Sequence, residues 1–343
     1  MKNVFGYPEF DAEGEEILCT YDNAYSDMLM DIRVYRMEPG RKRDFCRRGE
    51  ETAVLLLSGT VTFGWEGRTE TVSRRDVFTD GPYALHTCAG EEITVEAQTD
   101  AEILVQCTKN DTAFSGRLYR PEDAPWVYSC VGKFGNVAKR RVNTIFDKDI
   151  APWSNMVLGE VLNDRGNWSG YLPHRHPQPE CYYFKFDRPE GFGASFVGDQ
   201  VFKSVDNSFS AIPGGCLHPQ AVAPGFQMYT CWMIRHLDGN PWLQTTRNED
   251  ERYLWLHDAQ ECPAHRELNS GKRLRVSLGT RSLFIWKQVR HSGPVPEEAP
   301  SRDLPGTAGA RRHAHGPAAL GLQSGSAPPA CPGSRPGASP PQY

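Results

Sequence analysis

Residues 172–184 read LPHRHPQPECYYF and residues 212–219 read IPGGCLHP. His174 and His176 are two apart. On an extended strand, residues i and i+2 point to one face, so both imidazoles can reach one ion. Glu180 follows a proline-rich break, Pro177-Gln178-Pro179, which bends the chain and can return a carboxylate to the same place. Pro213 and the Gly214–Gly215 pair make a tight turn from which His218 emerges. If the four side chains share an ion, the chain must bring residue 218 back beside residue 174. Three imidazoles and a carboxylate suit Zn, Fe, Mn, Co or Ni. They do not suit Ca or Mg, which prefer oxygen shells. A lone HxH pair is more often a surface or packing feature. Reading these two histidines as loop residues and Glu180 as a strand cap leaves the turn and His218 unexplained.

The surrounding pattern is that of short strands. TAVLLLSGTVTFGW and EEITVEAQTDAEILVQC in the first half, and NMVLGEVL, ECYYFKF, SFSAIPGG and FQMYTCWMIRH in the second, are β-branched or aromatic runs broken by turn residues. The two halves share a loose order of features, which points to an internal duplication. The expected organisation is a first domain over residues 1–125, a second over 126–259, and a tail over 260–343. The last 53 residues hold 11 of the 26 prolines, and the tail is predicted to be disordered.

Charge and composition narrow the partners. The formal net charge is -5, but the tail from Gln260 on carries 11 Lys and Arg against 5 Asp and Glu, so the body is strongly acidic. An acidic body excludes a nucleic-acid surface, which needs clustered positive charge. No run approaches the ~20 apolar residues of a membrane helix. The start, MKNVFGYPEF, has no apolar signal region, and the 10 cysteines form no CxxC pair. Free thiols and a cytoplasmic location are expected.

The HxH, Glu and PxGxxH pattern resembles the cupin superfamily, small jelly-roll β-barrels with a metal inside. Two positions outside the ligand set depart from it, Asn207 for a Gly and Val222 for an Asn. The resemblance implies an all-β protein of two cupin barrels, with His174, His176, Glu180 and His218 as ligands to a divalent transition metal, Zn or Mn. The first half resembles a cupin that has lost its metal, with Glu51 and His86 in the places of two ligands and a structural role. GEVLNDRGNWSGYLPHRH and IPGGCLHPQAVAPGFQMYTCWMIRHLDGNPW are further similar to the 5-deoxy-glucuronate isomerase family of myo-inositol catabolism.

That resemblance implies an aldose–ketose isomerisation of 5-deoxy-D-glucuronate to 5-dehydro-2-deoxy-D-gluconate. Such chemistry needs an electrophile and a base that moves a proton. Tyr182 is a candidate base, because alternation puts it on the face of Glu180 and turns Cys181 away, and a metal-bound hydroxide is another. A uronate also needs a cation for its carboxylate. Arg141 is preferred over Lys133, Arg140 and Arg235, and Arg175 should point away from its flanking histidines. The expected partner is a small-molecule uronate, with a homo-oligomer left open and no nucleic acid or membrane. The alternatives are a 5-keto-4-deoxyuronate isomerase, an Fe(II) cupin dioxygenase and a sugar-binding cupin without catalysis.

Overall fold

Apolar runs cut by Gly, Asp and Pro become strands along most of the chain. In the computed structural model, which describes residues 3–257, the first half holds β1 (Phe5–Gly6), β2 (Glu15–Cys19), β3 (Asp31–Met37), β4 (Lys42–Phe45), β5 (Glu50–Trp65), β6 (Arg68–Arg74), β7 (Tyr83–Thr87), β8 (Ile93–Ala97), β9 (Ala101–Lys109) and β10 (Arg117–Tyr119). The second half holds β11 (Val127–Ser129), β12 (Arg140–Phe146), β13 (Met156–Asn163), β14 (Trp168–Ser169), β15 (His174–Arg175), β16 (Glu180–Phe186), β17 (Phe192–Val197), β18 (Gln200–Val205), β19 (Phe209–Ile212), β20 (Gln220–Val222), β21 (Met228–Arg235) and β22 (Asn248–Glu249). The helical elements among the described residues are short 3-10 turns, none long and apolar enough to cross a membrane. The tail expected to be disordered lies outside the described residues.

The architecture is all-β, with two curled barrels. In the first, β5 runs through both layers. Its beginning pairs with β7 and β9, and its end pairs with β6 and β8. The change of layer follows a bulge between Leu56 and Ser58, and such insertions bend a strand. Gly59 completes the bend at φ +95°, where a Cβ would lie 2.3 Å from the Asp100 carbonyl oxygen. In the second barrel, the sheet β1-β19-β16-β21-β13-β12-β11 accompanies the smaller sheet β14-β20-β17-β18. Tyr182, Phe184, Ile212, Met228, Trp232 and Ile234 pack in its interior. The first strand crosses over: Phe5 pairs with Ser210 of β19, in the second half's sheet.

Alternation along β5 fills two cores. Val54 and Leu56 face the first barrel's interior, whereas Ala53, Leu55 and Leu57 join a cluster with Leu158, Cys181, Tyr183, Phe209 and Met233 of the second half. The two large sheets therefore pack against each other through apolar outer faces, and both faces of their central strands are buried. Cys181 lies in this seam, its Sγ 4.0 Å from that of Cys19, turned away from Glu180 as alternation requires. All eight described cysteines are free thiols.

A buried acid sits in the same seam. Burial pushes the Glu16 carboxyl up to about 8, with nearby Glu102 adding to the shift. Tyr183 Oη lies 3.3 Å from it, and Lys185 Nζ donates to Glu102 at 2.6 Å. The raised value means that the native state holds a proton the unfolded chain releases. Stability from this group is full below the ordinary value of 4.5 and declines as pH rises toward about 8. Glu16→Gln, which mimics the protonated acid, is expected to gain stability relative to wild type between pH 5 and 8.5, by a few kcal/mol. Thermal melts of both proteins across that range check it, and parallel pH dependences would contradict it.

Candidate metal centre

The local chain explains why the two histidine motifs meet. β15 carries His174 and is held by pairing with β22, His174 opposite Glu249. Pro177 and Pro179 then turn the chain so that β16 begins on Glu180, which is paired with Ile212 of β19 on one side and Ile234 of β21 on the other. The turn after β19 is pinned to the HxH loop. Gly215 N–H donates to the His176 carbonyl at 2.7 Å, and a Cβ on Gly214 would lie 1.9 Å from the Pro177 carbonyl oxygen. Only glycine at 214 lets the two segments touch, and that contact carries His218 to His176.

The result is one buried group. The ligand atoms of His176, Glu180 and His218 lie within 4.8 Å of one another. His176 Nε2 is 3.1 Å and His218 Nε2 3.3 Å from the same Glu180 oxygen, Oε2. His174 stands beside them, its ring centroid 4.6 Å from that of His218. Each imidazole is anchored from behind. The Nδ1–H groups of His174, His176 and His218 donate to the carbonyls of Leu172, Gln178 and Cys216 at 3.0, 3.0 and 2.8 Å. A ring that donates from Nδ1 presents a lone pair at Nε2. The Nε2 lone pairs of His176 and His218 therefore meet a carboxylate oxygen, an arrangement that calls for a cation among them. His218 Nε2 is buried without a hydrogen-bond partner, since its 3.3 Å approach to Glu180 lacks hydrogen-bond geometry.

Electrostatics agree with that fit. Burial holds His174 well below the ordinary imidazole value, and the neighbouring His218 and Arg247 add to it. Burial also lowers His218, against the pull of Glu180. Both rings are neutral near pH 7, the form that binds metals. The residues present thus fit a divalent ion.

His174, His176 and Glu180 line a cavity of about 530 Å³, within the usual range for small-molecule sites. Tyr182 lines it too, on the face of Glu180. Burial and the Glu180 carboxylate push its phenol well above the ordinary value. A phenol held protonated is able to donate a proton at neutral pH.

Arg140, Val142, Asn143 and Thr144 of β12 line the cavity, and Arg141 is not among the lining residues. The Arg141 guanidinium lies 5.8 Å from the Trp126 ring centroid. Lys133 and Arg175 are exposed, and Arg235 is turned to the carbonyls of Asn155 and His236. The second cavity cation is Arg247, which sequence reasoning missed because it lies in a turn beyond the last long strand. In the first barrel, His86 Nε2 is 2.9 Å from Glu51 Oε2, and the imidazole is stacked on Phe146 at 4.4 Å. Glu51 Oε1 accepts from the Asn155 N–H at 2.7 Å, so both side chains serve as packing and hydrogen-bonding groups.

Comparison with known proteins points the same way. The 5-deoxy-glucuronate isomerase of Geobacillus kaustophilus is 28% identical over 216 residues, covering 58% of this chain and 76% of that protein. Its counterpart in Bacillus velezensis is 24% identical over 281 residues, 75% of this chain and 99% of the relative. The crystal structure of an IolB-like protein from Salmonella typhimurium LT2 superposes with a TM-score of 0.67 at 18% identity, covering 74% of this chain and 99% of that one. The KduI/IolB family matches residues 7–255, a span that contains both barrels and the whole histidine–carboxylate group, and the chain belongs to that family.

Proposed function

We propose that the protein is an aldose–ketose isomerase converting 5-deoxy-D-glucuronate to 5-dehydro-2-deoxy-D-gluconate in inositol catabolism, a cytoplasmic task on a small-molecule uronate. The observation that carries this reading is the buried group of His176, Glu180 and His218 beside a cavity that His176 and Glu180 line, in a chain whose relatives bear that isomerase's name. In this reading residues 1–125 are a structural barrel without metal and residues 126–259 carry the chemistry.

The reaction moves the carbonyl from C1 to C2. C2 and its hydroxyl each lose a proton, and C1 and its oxygen each gain one. A divalent ion, Zn or Mn, supplies electrophilic polarisation of the carbonyl. His176, Glu180 and His218 would hold it, with His174 as a fourth ligand. The backbone carbonyls behind the rings keep each Nε2 aimed inward. Tyr182, kept protonated, donates to the substrate oxygen on which negative charge develops. The apolar walls at Trp232, Ile234 and Trp242 exclude water from the reacting carbons.

Purified metal-loaded protein incubated with 5-deoxy-D-glucuronate should show loss of the C1 aldehyde and growth of the C2 ketone by NMR, and no conversion would sink the reading. Tyr182→Phe is expected to lower kcat by roughly 10²-fold with bound metal unchanged. A kcat equal to wild type would remove the phenol from the chemistry.

A further inference from the structure

We infer that Arg140 and Arg247 form a clamp for a single carboxylate, which makes the cavity selective for acidic sugars over neutral ones. This deepens the isomerase reading and rests on it for the identity of the acid.

Both arginines line the cavity, and the charge of Arg140 bears on Arg247. The contacts each makes leave its charge unanswered. Arg140 Nη1 donates to the Ala138 carbonyl at 3.0 Å and approaches Cys130 Sγ at 3.3 Å. Arg247 Nη2 lies 3.3 Å from His174 Nδ1. Among the described residues, no carboxylate stands within ion-pair distance of either. Glu249 and Glu180 act on Arg247 only from further away.

Other sequestered arginines in this protein meet carboxylates directly: Arg74 bonds Glu160 at 2.8 Å, and Arg33 bonds Asp31 at 2.7 Å. Two like charges brought together out of bulk water without a counter-ion are costly to maintain. The cost is relieved when an anion enters between them. A carboxylate matches the fork of a guanidinium and accepts several charge-assisted bonds from such a pair.

Arg247 stands at the Nδ1 edge of His174, behind the ring. Arg140, Arg247, His174, His176 and Glu180 line one cavity, and the His174 ring stands beside His218. An acid that also carries a reacting carbonyl is the substrate class this shared lining suits.

Calorimetric titration of the full chain with D-glucuronate and with D-glucuronamide tests the clamp independently of turnover. The wild type should bind the acid at least about tenfold more tightly than the amide. Arg140→Gln and Arg247→Gln should each lose that preference, with the affinity for the acid falling more than that for the amide. Arg247→Lys, which keeps a charge but no fork, should keep part of it, and circular dichroism verifies that each variant is folded. Equal affinity for acid and amide, no binding of the acid, or a preference that survives in both Gln variants would overturn the clamp. A wild type that discriminates acid from amide yet leaves 5-deoxy-D-glucuronate unchanged would support the clamp and count against the isomerase.

Discussion

Glu160→Ala is expected to destabilise the protein by about 3–5 kcal/mol, the range for breaking a buried ion pair from one side. Glu160 and Arg74 have side chains with 0% exposure and are joined by two bonds of 2.8 and 3.1 Å. Tyr229 Oη donates to the same carboxylate at 2.7 Å and Asn143 Nδ2 at 3.0 Å. Arg74 also donates to the carbonyls of Leu56 and Asp80. Its charge comes from β6 of the first barrel, and the carboxylate from β13 of the second. Removing the carboxylate leaves a fully buried guanidinium without its anion. Replacing both partners with apolar residues of similar size should cost much less, because neither charge then needs compensation. Urea denaturation of the single and double variants measures both effects. A loss under 1 kcal/mol for Glu160→Ala would mean that water reaches the seam.

His176→Ala is expected to lose bound metal and about 10³-fold in turnover together. The metal's polarisation of a carbonyl is worth several kcal/mol, and each 1.36 kcal/mol is tenfold in rate. His176 also accepts the Gly215 N–H at its carbonyl, a backbone bond the substitution keeps, so the turn that delivers His218 should survive. Metal analysis and kinetics on the folded variant check the coupling. Full metal content with lost activity would mean that His176 acts on the substrate instead.

What the sequence reveals depends on whether spacing encodes geometry. The meeting of His176, Glu180 and His218 was legible because their motif spacing and the Pro-Gly-Gly turn bring the two segments together. The face of Tyr182 followed from the strand period of two. Its protonation did not, since that depends on burial and on the Glu180 charge. Arg140 and Arg141 could not be told apart, because RRVNTIF has no apolar alternation strong enough to set which arginine faces inward. Arg247 reaches the cavity from a turn 29 residues beyond His218, where no pattern announces it. The two-residue strand at Phe5–Gly6 is too short to read, and its place in the second half's sheet is a tertiary choice. Arg74 and Glu160 lie in ordinary polar contexts, so their pairing emerges only when the two barrels are seen together.

The most direct test of the central claim is metal content by mass spectrometry on the purified full chain, with 5-deoxy-D-glucuronate turnover followed on the same sample before and after chelation. The account predicts about one equivalent of Zn or Mn per chain, turnover that falls with chelation, and recovery when that metal is returned. A metal-free protein that still isomerises the substrate, with turnover unmoved by chelation or by added metal, would contradict it.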